Sequence, residues 1–285
     1  MMVSRAGLGR LTQIAAGTHG MVFKVEEFRL PGDSTPLVYK ESTQDQARSA
    51  QAAVGLWTRL SSTERADLGE YTAWPRGLVE DTRGMVCGLL MPLIPQEFFC
   101  RQADPDTGQM TFKPRKMSWL IATQAQRSSA QVELPDIDRT ERQILLAKLI
   151  YAIGRLHKQG WVFGDLSFRK VVFGLNPPRV YVNCDGAAGL ADLTRAQAHT
   201  PFWVPPECVS GQQKLQDTAT DVYKLGLAIL RCLTPGRGAA SSTAPGRLAG
   251  VLDPEGIDLV TRALSADRCQ RPTAKDLYVY LYRCL

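Results

Sequence analysis

Apolar and polar positions alternate over short stretches in the first third of the chain, and recur with helical spacing after it. Residues 11–14, 21–25 and 37–40 read as strands. The glycine-bearing turn 15–20 lies between the first two, and a Pro-Gly-Asp-Ser turn at 31–34 precedes the third. A helix over 42–62 follows, capped near Ser42 or Thr43, with Ala47, Ala50, Val54, Trp57 and Leu60 on one face. Two further strands, 78–80 and 85–91, flank a turn at 81–84. From residue 96 the texture changes. Residues 101–116 are polar, with a loop at 104–108; 117–126 are weakly helical; 127–138 are polar again. Leu145, Leu149, Ala152, Ile153 and Leu156 mark a long helix, and 221–233 is apolar nearly all round, as a buried helix should be. Residues 236–250 form a Gly/Ala/Ser loop, and helices over 257–264 and 273–281 close the chain. The pattern predicts an α+β protein, with a sheet-rich part carrying one helix followed by a helix-rich part.

Composition narrows the setting. Of 285 residues, 44% are hydrophobic and 22% charged, which is globular. No apolar run reaches the about 18 residues of a membrane helix, since the best, 86–94, is interrupted by Gly88 and Pro92. The first residues carry no signal-like apolar stretch, so a cytoplasmic protein with no membrane partner is expected. Seven cysteines without a C-x-x-C pair argue against a disulfide framework and a zinc ribbon. The net charge of +6 suits phosphates or acidic partners. Its densest groups, Lys113-Pro114-Arg115-Lys116 and Arg169-Lys170, form no tail, so nucleic acid is disfavoured.

Two patches carry candidate chemistry. In the first, a strand–glycine turn–strand is followed by an apolar strand ending in Lys40. Glycines let backbone N–H groups approach anionic oxygens, and an ammonium alongside neutralises them. An ordinary hairpin would look the same. The second runs from Trp161 to Phe173 and sets Asp165 between a long helix and an apolar strand, where it could meet the proton of an attacking hydroxyl. Strand 180–182 then delivers Asn183-Cys184-Asp185-Gly186, in which an acid suits Mg²⁺ or simply caps a turn. His157 reads as a packing residue, and Cys184 as an inert buried thiol. Trp161, Trp203, Tyr223, Tyr278, Tyr280 and Tyr282 read as core or near-core.

Taken together in this order, the residues resemble the eukaryotic-like protein kinase family over nearly the whole chain, as one domain with a small lobe (1–95) and a large lobe (96–285). Ala15-Ala16-Gly17-Thr18-His19-Gly20-Met21-Val22 resembles the glycine-rich loop with its first glycine replaced by alanine. Leu37-Val38-Tyr39-Lys40 resembles the lysine strand, and Phe163-Gly164-Asp165-Leu166 the catalytic loop. Thr200 to Glu207 resembles the end of an activation segment. Asp221-Val222-Tyr223-Lys224-Leu225-Gly226 and Arg271-Pro272-Thr273 resemble large-lobe motifs. The Trp74-Pro75 and Gly88–Pro92 segments and the Asn-Cys-Asp turn are similar to an atypical bacterial group with Asp-x-Asp in place of Asp-Phe-Gly.

The resemblance implies transfer of the ATP γ-phosphoryl group to a serine or threonine hydroxyl of a protein, with Mg²⁺ or Mn²⁺. It gives Asp165 the hydroxyl proton and Lys40 the α- and β-phosphates. The backbone from Ala15 through Gly17 and Thr18 to Gly20 would cover the phosphates. Val22 and Val38 would sandwich the adenine, and Met91, Leu93 and Ile94 would line the hinge. Asp185, assisted by Asn183, would hold the metal. Thr200 would sit near Asp165, and Glu207 and Arg271 would form a buried structural ion pair.

Four departures accompany it. Lys170 stands where a metal-binding asparagine is expected, and could touch phosphate directly. Asn183 falls at the count of the usual metal aspartate. Helix 42–62 offers Lys40 no glutamate, leaving Glu64, Asp67, Gln51 or the phosphates themselves. Gly164 replaces the arginine that reads a phosphorylated segment, so any activity should not depend on that phosphorylation. The alternatives are a pseudokinase binding nucleotide or a partner and, against the Thr200–Glu207 segment, a small-molecule phosphotransferase.

Overall fold

The structure, a computed structural model, describes residues 1–17, 20–42, 44–192, 199–213 and 215–285, and of residues 17 and 44–49 the backbone alone. The chain divides into two compact units, Met1–Ile94 with Asn183–Arg195, and Pro95–Val182 with Ala196–Leu285. It is a mixed α+β protein with a β-rich first unit. No described helix is long and apolar enough to cross a membrane.

The first unit opens with β1 (Met2–Ser4), β2 (Leu11–Gly17), β3 (Gly20–Val25) and β4 (Leu37–Glu41). Helices α1 (Gln44–Arg59) and α2 (Ser62–Tyr71) come next, then β5 (Thr72–Ala73), β6 (Gly77–Glu80) and β7 (Val86–Pro92). Six strands form one sheet in the order β1-β6-β7-β4-β3-β2. Only β1 runs parallel to its neighbour. Val22 lies opposite Lys40, Val38 opposite Met91, and Ala15 opposite Val22. Opposed residues share a face, so one face carries Ala15, Val22, Val38, Lys40 and Met91. The other packs Leu37, Tyr39, Val79 and Leu90 into a core with Leu8, Val25 and Leu30. Helix α1 packs on β6 and β7, and the buried Trp74 indole donates to the Ala53 carbonyl at 2.9 Å.

Two local expectations change here. The helix expected over 42–62 ends at Arg59, because Ser61 starts a new one. The Ser61 hydroxyl accepts from the Glu64 amide, and the Glu64 carboxylate accepts from the Ser61 amide, a reciprocal cap that resets the chain. Strand β1 was not expected at all.

The second unit begins with β8 (Phe99–Ala103) and β9 (Met110–Pro114), an antiparallel hairpin in a stretch whose polar residues predicted no strands. Its turn at 104–108 is as read: the Asp104 carboxylate accepts from the amides of Asp106 and Thr107. The chain continues through α3 (Ser118–Ile121), α4 (Gln124–Ser129), α5 (Arg139–Lys158), β10 (Trp161–Val162), β11 (Val171–Leu175) and β12 (Pro178–Asn183). It ends with α6 (Pro206–Val209), α7 (Thr218–Leu233), α8 (Pro254–Ala263) and α9 (Ala274–Arg283). Helix α5 packs against α7 and α9, and α7 is buried without a break from Thr220 to Leu233. Trp161, Trp203, Tyr223 and Tyr280 are buried. Tyr282 is not core: it is exposed, with its ring stacked on Tyr278.

Candidate active site

In the first unit, β4 ends on Lys40, and its ammonium forms a direct ion pair with Asp185, 145 residues later. Both side chains are largely covered, 19% and 10% exposed, so each charge leans on the other. The open question of Lys40's partner is thereby answered. Glu64 is committed to the Ser61 cap and Gln51 is exposed. Asn183 turns its side-chain oxygen back to accept from the Asp185 amide at 3.3 Å, which shapes the turn that presents the carboxylate. Cys184, between them, is buried.

Of the residues expected around a nucleotide, Ala15, Gly17, Gly20, Val22, Val38, Lys40 and Met91 lie on that sheet, while Leu93 and Ile94 follow the end of β7. Val22 and Val38 cannot sandwich a ring between them. The register sets them diagonally on one face of adjacent strands, Val22 opposite Lys40 and Val38 opposite Lys24, so they can form one wall only. The Leu93 N–H donates to the Pro36 carbonyl at 2.8 Å, and Ile94 follows it, half-buried. The glycine turn is tighter than read, with Ala15 and Gly17 inside β2 and Gly20 opening β3, so that Gly17 pairs with Gly20. Thr18 and His19 lie outside the described residues. Gly20 has φ +132°, and a Cβ there would stand 2.8 Å from the Glu41 carbonyl oxygen. Its lack of a side chain is therefore demanded by β4, whatever passes over the turn.

In the second unit, the Thr200 hydroxyl donates to the Asp165 carboxylate at 3.0 Å, with the buried Ser167 hydroxyl equally close to it. The Lys170 ammonium lies 3.6 Å from the other Asp165 oxygen. Asp165, Thr200 and Lys170 are thus one cluster, with a hydroxyl already held by the carboxylate.

The loop under this cluster is tied to α7. The buried Asp221 carboxylate accepts from the Phe163 and Gly164 amides at 2.8 and 2.9 Å, and His157 Nε2 lies 3.1 Å from it. Gly164 has φ +80°, and a Cβ would meet Gln216 Oε1 at 3.0 Å. An arginine here would be strained in its backbone, and Gln216 would have to give way to its Cβ.

Sequence reasoning missed Lys224. This ammonium is fully buried and donates to the Gly164 carbonyl, to Gln216 Oε1 at 3.1 Å and toward His199 Nδ1 at 3.2 Å. Three acceptors satisfy its three protons. Sealed from solvent, it cannot receive a phosphorylated segment. The available signal was a lysine in the middle of an otherwise apolar helix.

Burial lowers the pKa of Lys224, and burial together with the Lys224 charge pushes His199 down to about 4, against the opposing pull of Asp165 and Glu207. His199 is therefore neutral when folded and takes up its proton more readily when unfolded. The stability it contributes is complete above the ordinary 6.5 and is lost as pH falls from there toward about 4. The melting temperature of the wild type is expected to decline across that window, and His199→Gln to flatten the decline. An equal decline in the variant would assign it to other groups.

No family model matches the chain, and no curated protein matches it either.

Proposed function

We propose that the protein is an ATP-dependent serine/threonine protein kinase with a divergent active site, its two units corresponding to the lobes of a kinase-like fold. The carrying observation is the Lys40–Asp185 ion pair. The two residues read from separate motifs as the cationic and acidic poles of a nucleotide site meet directly, though 145 residues separate them. In this reading Lys40 releases Asp185 to hold the nucleotide's phosphates, and Asp165 orients a hydroxyl as it now holds Thr200. Lys170 stands ready to neutralise the transferred phosphate.

The donor set bears on the metal. Mg²⁺ seeks oxygen ligands and is commonly held by one or two carboxylates plus substrate phosphates. Asp185 supplies one carboxylate and Asn183 one amide oxygen. Among the described residues no group of three or more His, Cys, Asp or Glu side chains converges. These residues fit a Mg²⁺ or Mn²⁺ that arrives with the nucleotide, and the ion would supply charge neutralisation at the phosphates. A cytoplasmic setting and a protein substrate belong to the same proposal.

A second reading, a pseudokinase that binds nucleotide to regulate a partner, is favoured by one observation: the Lys40 ammonium is already paired with the Asp185 carboxylate. Incubation with γ-labelled ATP and Mg²⁺ or Mn²⁺ separates the two. A kinase labels itself or a generic protein acceptor. A pseudokinase gives only a thermal shift, about 2.7 kcal/mol of stabilisation at a hundredfold excess of ligand over its Kd. Neither label nor shift would remove both readings.

A further inference from the structure

A groove of about 1270 Å³ opens within the second unit, bounded by the β8–β9 turn, α3, α4, the 200–203 segment and the 236–240 loop. Trp119, Phe168 and Trp203 are among its lining residues, as is Thr200, whose hydroxyl is held by Asp165.

Phe202, in this lining, is the unusual residue. It is 70% exposed, and its φ of +67° is a conformation that bulky side chains rarely adopt. The strain is imposed from below. Arg231, fully buried in α7, donates from Nη2 to the Phe202 carbonyl at 2.7 Å and from Nε to the Ser242 carbonyl at 3.1 Å, with its guanidinium over the Trp203 ring at 4.7 Å. A buried arginine thus holds an aromatic side chain out into water beside an apolar groove.

Charge then identifies what the groove accepts. Arg169 and Arg237 both line it and are exposed, and neither makes an ion pair or hydrogen bond among the described residues. The acid in the lining, Asp104, is already matched by Lys113 at 2.6 Å. Two unmatched guanidiniums in a lining that also holds aromatic side chains complement carboxylates alternating with apolar side chains.

We propose that this groove docks an extended acidic segment of a partner protein, its carboxylates on Arg169 and Arg237 and an apolar side chain against Phe202 and Trp203. As a selector of phosphorylation substrates the groove rests on the kinase reading; as a docking site it does not.

The test is fluorescence anisotropy of the full chain with a labelled peptide alternating Glu and Leu, against its Gln/Leu counterpart. The Glu peptide is expected to bind about tenfold or more tightly at low salt, with the preference shrinking as salt rises. Arg237→Glu should weaken Glu-peptide binding about tenfold. Phe202→Gly should also weaken binding while melting no lower than wild type, because glycine relieves the left-handed backbone. Equal binding of the two peptides, no binding of either, or undiminished affinity in Arg237→Glu would overturn the proposal. Asp165→Asn keeps this result apart from the chemistry, since it should leave peptide affinity unchanged. Peptide binding without phosphoryl transfer would keep the groove and end the kinase reading. Transfer to neutral acceptors as readily as to acidic ones would do the reverse.

Discussion

Asp165→Asn is expected to lower phosphoryl transfer from labelled ATP by about 10²- to 10⁴-fold, the range that a positioned general base contributes. The same change should barely alter stability. Asparagine keeps the shape and an oxygen that can still accept from Thr200, and among the described residues the ion pair lost is the partly exposed one to Lys170 at 3.6 Å. Pairs of that kind are worth about 0–1 kcal/mol. A large fall in activity with an unmoved melting temperature separates a chemical role from a structural one. Undiminished transfer in a well-folded Asp165→Asn protein would move the reacting hydroxyl elsewhere.

Arg271→Ala is expected to act in the opposite way, costing about 3–5 kcal/mol of stability, as removal of one member of a buried ion pair does. Arg271 is 1% exposed and grips Glu207 with both terminal nitrogens at 2.6 and 2.7 Å. It also donates to the carbonyls of Ala219 and Ser265, so three segments lose their common anchor. Burial alone would raise the pKa of Glu207, but the Arg271 guanidinium, a backbone amide and the Arg268 charge together outweigh it, and the carboxyl titrates below its ordinary range. Without the guanidinium, the cation left to that buried charge among the described residues is Arg268, at 3.9 Å. Hydrogen exchange at the α7 amides, together with denaturant unfolding, reads the second unit. A loss under about 1 kcal/mol would contradict this role. Pairing Arg271→Leu with Glu207→Gln should cost less than the single changes summed, because no charge is stranded.

How much could be read from the sequence depended on how local the cause was. The face of α5 and the all-round burial of α7 followed from periodicity, and β2, β3 and β4 from alternation bounded by turns. The β8–β9 hairpin was hidden because its inward positions include Gln102, a polar residue that is nevertheless buried, so the strand does not alternate in hydrophobicity. Strand β1 is three residues long and exists through its parallel partner Leu78–Glu80. The restart of the helix at Ser61 was legible: Ser61-Ser62-Thr63-Glu64 has the spacing of a reciprocal cap, but the continuing apolar positions masked it. At the site, Lys40, Asp165 and Asp185 were each identified by local motif. That Lys40 would pair with Asp185 was not, because the contact is a product of the fold. Nor did the sequence give a reason for Gly164; its positive φ over Gln216 supplies one.

In the proposed function Lys40 and Asp185 are the two poles of one nucleotide site. Calorimetry with a non-hydrolysable ATP analogue, in the presence and absence of Mg²⁺, tests it most directly. The expected result is saturable binding to the wild type, weakened about tenfold or more by Lys40→Met through loss of a charge-assisted contact, with the metal dependence abolished in Asp185→Asn. Binding that is equally tight and equally Mg²⁺-dependent in both variants, or no binding by the wild type, would contradict it.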